Sequence, residues 1–141
     1  MAWYGVGTRW GGKVSQLDRF IENGIWENGY HRGEKPEYDA IIDSIVIGDI
    51  LVAKSHYNKK NPYKIEAVGI VTETSQLVDG KDVLDVKWIG RINVELQEKN
   101  EISYLGKERA HTIFAEYDKK VIRIISETLR IERQERNALY E

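Results

Sequence analysis

The chain has 141 residues, no cysteine and a formal net charge of −2. That length suits one compact domain, and the missing thiols exclude disulfide frameworks and thiolate metal sites. The near-neutral charge argues against a protein that grips long duplex through a basic face, but not against a reader of one extruded base, where stacking and edge hydrogen bonds carry much of the energy.

The N-terminal stretch MAWYGVGTRWGG lacks the basic-then-apolar order of a signal peptide. No apolar run approaches the roughly 20 residues that span a bilayer. A cytoplasmic protein without a membrane partner is therefore expected.

Ala2 to Trp10 is aromatic and β-branched and predicts a first strand, ended by Gly11-Gly12. Ser15 is placed to cap a short helix carrying Leu17, Phe20 and Ile21, which Asn23-Gly24 terminates. Ile25 and Trp26 follow, and Asn28-Gly29 signals a second turn. Pro36 to Ile45 predicts a second helix, with Tyr38, Ile41, Ile42 and Ile45 on one stripe. Gly48-Asp49 is a turn, Ile50 to Lys54 a short buried strand, and Asn58 to Pro62 a polar loop. Ile65 to Thr72 predicts a strand in which Gly69 marks a bulge or a close backbone approach. Asp79-Gly80 turns the chain into a strand from Val83 to Ile89, with another from Ile92 to Leu96. His111 to Phe114 is the last predicted strand. From Asp118 the period becomes helical through Val121, Ile124, Ile125 and Leu129, before a highly charged end. The order predicts a single α+β domain over 1–141, with a small, curved, mainly antiparallel sheet and a charged C-terminal helix over about 118–141.

Two stretches combine residue types suited to binding. Between Lys54 and Lys64 the chain holds four lysines, no acid and two tyrosines, a local charge of +4. Lys54, Lys59, Lys60 and Lys64 are candidate phosphate contacts, while Ser55, Tyr57 and Asn58 are candidates for base contact. In Gly24-Ile25-Trp26-Glu27-Asn28-Gly29-Tyr30 a tryptophan lies between two turn signals, placed either to project into a cleft or to plug one end of a barrel. Trp3 and Trp10 lie an odd number of residues apart and face opposite sides of a regular strand.

Catalytic readings are weaker. His31, His56 and His111 lack metal-ligand spacing. Ser55-His56 adjacency is no triad, because neighbours in a strand point oppositely. Gly5-Val6-Gly7 is too short for a phosphate loop. No metal, cofactor or enzymatic activity is expected.

The order of motifs is specific. The early aromatic strand, then Gly24-Ile25-Trp26, Gly48-Asp49-Ile50-Leu51-Val52, Ser55-His56-Tyr57 and Ala67-Val68-Gly69-Ile70-Val71 together resemble the EVE and YTH branch of the PUA-like superfamily. The run from Phe20 to Tyr30 is similar to the N-terminal domains of McrBC-type modification-dependent restriction proteins. The resemblance runs from about Trp3 to Trp88 and implies a pseudo-barrel flanked by helices that holds one extruded base, often a methylated one, in an aromatic cage. It assigns Trp26 to the cage and Ser55 to Asn58 to the pocket border. Trp10, Tyr30, Tyr57 and Trp88 are the candidates for the second wall. The expected partner is DNA or RNA, in a prokaryotic or phage defence setting, with a protein effector as a further partner. A protein-interaction or decoy module, and a PUA-like RNA binder, are the alternatives on the same fold.

Overall fold

The structure, a computed structural model, describes residues 1–11, 13–55, 63–96 and 110–140, with side chains through residue 130. His56, Tyr57, Asn58, Lys59 and Lys60 lie outside the described residues.

The fold is α+β. In chain order the elements are β1 (Trp3–Gly7), β2 (Arg9–Trp10), β3 (Val14–Ser15), α1 (Leu17–Asn23), β4 (Ile25–His31), α2 (Pro36–Ser44), β5 (Ile50–Ser55), β6 (Tyr63–Val78), β7 (Lys81–Leu96), β8 (Ile113–Ala115) and α3 (Lys119–Tyr140). Among the described residues the main sheet runs β4-β7-β6-β5-β1-β8 and is not closed; β2 and β3 form a separate small pair. Only β1 and β5 run parallel in this sheet, so it is mixed but mostly antiparallel.

The strand β5 reads Ile-Leu-Val-Ala because both of its faces are covered. Ile50 and Val52 join a core with Tyr63, Ile65, Phe114, Val121 and Ile125, on the side of α3. Leu51 points the other way, into a core with Tyr4, Val6, Phe20, Trp26, Ile42 and Leu84, on the side of α1 and α2. Trp3 packs with the first cluster and Trp10 with the second.

Local chemistry explains the element ends. Gly24 closes α1 in the left-handed region at φ 65°. The Asp118 carboxylate accepts from the Lys120 N–H (2.8 Å) and starts α3. Asp79 (φ 53°) and Gly80 (φ 80°) make the hairpin tip, where two residues of positive φ match the strand twist. Asp49 is buried; its carboxylate accepts from the Ala2 and Val46 N–H groups (both 2.9 Å) and ties the N-terminus to the start of β5.

Four expectations are corrected. The first strand is interrupted at Thr8, where the chain leaves β1 for β2. Gln16, not Ser15, occupies the position before α1. The segments Val83 to Ile89 and Ile92 to Leu96 belong to one long strand, irregular near Gly90 (φ 148°). Asn28-Gly29 is no turn: β4 continues through it with a bulge, so that Glu27 pairs with Val83 and His31 with Lys81.

Candidate functional site

The bulge in β4, the break after β1 and the end of β5 meet at one cavity of about 390 Å³. Its wall takes Gly7, Thr8, Arg9, Trp10 and Gly11 from the β1–β2 passage, Gly29 and Tyr30 from the bulge, Lys54 and Ser55 from β5, and Ala110 and Thr112 from the approach to β8. The volume suits a small planar ligand, since ligand pockets run from roughly 300 to 1,000 Å³.

Backbone hydrogen bonds fix this wall. The Gly7 N–H donates to the Thr112 carbonyl (2.7 Å), and the Gln16 N–H donates to the Thr8 carbonyl (2.7 Å). The Lys13 N–H donates to the Trp10 carbonyl (3.3 Å). Gly29 lies against Trp10 so closely that a Cβ there would sit 3.1 Å from the indole Cδ1 and 3.2 Å from Nε1.

Trp10 is half-buried. The Lys81 ammonium lies 4.4 Å and the Arg19 guanidinium 5.1 Å from its ring centroid. Cations over the ring compete with a base for its faces. Its indole N–H is buried with no hydrogen-bond partner. Thr8, almost fully buried, has an equally unpartnered hydroxyl. Tyr30 is half-buried, tilted against Tyr38 at 5.9 Å between centroids, with the Lys35 ammonium 5.4 Å from its ring.

Lys54 is the unusual group. It is only 5 % exposed, donates to the His111 carbonyl, and lies 5.7 Å from the Phe114 ring centroid. Burial pushes its ammonium down to about 8, because a charge taken from water favours the neutral form.

The cavity therefore brings together Trp10, Tyr30, Lys54 and Ser55 of the residues singled out from sequence. The others are placed differently. Trp26 is fully buried and does not project into a cleft: its ring fills the core on the α1–α2 side, and its Nε1–H donates to the Gly7 carbonyl (2.9 Å). It supports the pocket wall from beneath. Trp88 donates from Nε1 to the Ile25 carbonyl (3.0 Å) and borders a separate apolar cavity against α3. Lys64 pairs with Glu95 (3.6 Å) and borders a neighbouring cleft with Arg9 and Arg91. Lys54, expected to contact phosphate, is a buried wall group.

Thr8, Arg9, Gly29 and Thr112 were not legible as pocket residues. Only Gly29 carried a signal, and its pairing with Asn28 read as a turn. Asn28 is fully buried, with its Oδ1 accepting from the Tyr30 N–H (3.2 Å) and its Nδ2 unpartnered, but it is not on the wall. Among the described residues no group of three or more His, Asp or Glu could hold a metal ion, and no helix is long and apolar enough to cross a membrane.

No family model matches this chain. No curated protein matches it either. Among solved structures it is similar to the NMR structure of Rpa0253 from Rhodopseudomonas palustris, a structural-genomics target, with a TM-score of 0.60, 10 % identity and 92 % of each chain covered. At that identity the likeness is one of fold.

Proposed function

We propose that this chain is a nucleic-acid binding module of the PUA-like, EVE/YTH type that holds one extruded base in the cavity between β2, the β4 bulge and the end of β5. The observation that carries this reading is the meeting of Trp10, Tyr30, Lys54 and Ser55 on one wall. By residue type these four suit stacking, base contact or phosphate contact. The cavity volume is of the right order for a base. A modified base fits the same reading, with a methyl group in a close pocket contributing about 1–3 kcal/mol. A sensor in a defence system is the setting that the motif order suggests.

The test is fluorescence anisotropy of labelled short single strands, unmodified or carrying N6-methyladenine, 5-methylcytosine or 5-hydroxymethylcytosine. Binding is expected, weakened at least tenfold by Trp10→Ala and unchanged by Trp88→Phe. Absence of binding by every strand, or equal binding by Trp10→Ala, would overturn the proposal.

A further inference from the structure

The face of the sheet that looks towards α3 is unevenly covered. Near the start of the helix, Val121 and Ile125 are fully buried against Tyr63, Ile65 and Phe114. Further along, Leu129 is only partly buried, and so are Trp3 and Ile70 of the sheet. A second cavity, of about 630 Å³, opens there between the sheet and α3. Its floor takes Trp3 from β1, Ile50 from β5, Val68 and Ile70 from β6 and Ile92 from β7.

A bulge in β7 shapes this cavity. Val68 pairs with Gly90 and Gly69 with Trp88, so Ile89 is the extra residue between them. Bulges re-aim a side chain away from the regular alternation. Ile89 lines the cavity and is 45 % exposed, a branched apolar side chain kept in contact with water by the backbone around it. The charged groups on the described wall are Lys87 and Arg130, both exposed. Long cationic side chains at the margin of apolar surface keep their heads in water. An anion that meets them there stays partly hydrated and avoids the desolvation cost of a buried ion pair. Arg130 also offers the planar fork that fits a carboxylate.

We infer that this cavity binds a single-chain aliphatic carboxylate, with its chain against Ile70, Ile89 and Leu129 and its head at Lys87 and Arg130. Removal of apolar wall and chain from water supplies the affinity, and the two cations supply the choice of head group. The volume lies within the roughly 300–1,000 Å³ of ligand pockets. The cavity shares no lining residue with the pocket at Trp10 and Tyr30, so the inference stands apart from the base-binding reading.

The experiment is isothermal titration calorimetry of the full chain with octanoate, decanoate and dodecanoate below their micelle concentrations, beside octanol and octyltrimethylammonium. Saturable one-to-one binding is expected, tightening about threefold to fourfold with each added methylene. Octanoate should bind about fivefold more tightly than octanol, and octyltrimethylammonium more weakly than either. The double variant Lys87→Gln/Arg130→Gln should bring octanoate and octanol together. Ile89→Glu, a change at an exposed position whose fold is checked by circular dichroism and melting, should weaken dodecanoate at least about tenfold, because it sets a charge against the chain. Absence of saturable binding would overturn the inference, as would dodecanoate binding undiminished in folded Ile89→Glu. Equal affinity for octanoate and octanol in the unaltered chain would overturn the assignment of Lys87 and Arg130. A dimer seen by sedimentation and lost in Ile89→Glu would give the face to a second copy of the chain. Binding to anionic vesicles without binding of any monomeric carboxylate would give it to a membrane surface. Either result would overturn the inference and leave the base-binding reading untouched.

Discussion

Lys54 holds its charge in a place where charge is costly. Among the described residues it has no carboxylate partner, and its surroundings are a carbonyl and an aromatic ring. The sign of its effect on stability follows from the lowered value of about 8 against the ordinary 10.5. Between those values the unfolded chain binds the proton and the native one does not, so stability rises with pH across that window. Below about pH 8 the cost of the buried cation is fully present. Lys54→Met is therefore expected to be more stable at pH 7, on the order of 1–4 kcal/mol, the range seen when buried charges give way to apolar groups of similar volume. Urea titrations of both proteins at pH 7 and 9.5 check this, and the gap between them should narrow at the higher pH. An equal gap at both values would mean that Lys54 stays protonated. A residue that lowers stability where it stands, on the wall of a cavity, is the pattern expected of a binding group.

The strand β1 shows how tightly the sheet is assembled. A Cβ at Gly5 would sit 2.2 Å from Cζ and 2.4 Å from Cε1 of Phe114, whose ring is almost fully buried in the core facing α3. Gly5→Ala is expected to destabilise by about 1–3 kcal/mol, as overpacking does, read as a lower urea midpoint at unchanged slope. It should also weaken ligand binding, because Phe114 and the pocket residue Thr112 belong to the same short segment. A variant of unaltered midpoint would show that the ring has room to move. Elements governed by local chemistry were legible in the sequence: Gly24 after α1, Pro36 at the start of α2, and Asp79-Gly80 at the hairpin tip. The bulge in β4 was not, since Asn-Gly favours a turn locally and only the pairing of Glu27 and His31 with β7 keeps it in the sheet. For the same reason Trp26 read as a residue outside the core. Its spacing does not reveal that the strand continues, or that Gly7 supplies an acceptor from 19 positions away. Trp10 and Tyr30 were legible as candidates by residue type, whereas Thr8 and Thr112 become pocket residues only through the passage from β1 to β2 and the pairing of β8.

The distribution of charge limits how the protein can hold a nucleic acid. The net charge is −2, and among the described residues Arg9, Lys64 and Arg91 each face a carboxylate. Binding of single strands should depend weakly on salt. One to three phosphate contacts correspond to a slope of log K against log salt of roughly −0.7 to −2. Anisotropy titrations from 50 to 300 mM salt, on the order of the usual working range, give that slope directly. A value steeper than about −4 would require an extended basic surface instead of a base pocket.

The place of β1 between β5 and β8 has a consequence for synthesis. Tyr4 pairs with Leu51 on one side and with Ala115 on the other. At a ribosomal rate of roughly 5–20 residues per second, the second partner is made roughly 6–20 s after the first strand. During that interval the nascent Trp-Tyr-Gly-Val-Gly segment has an open edge and aromatic side chains that await their core. The strand that leads into one wall of the pocket is thus paired on one side well before its other edge can be closed, and in the cell a chaperone has that interval to meet it.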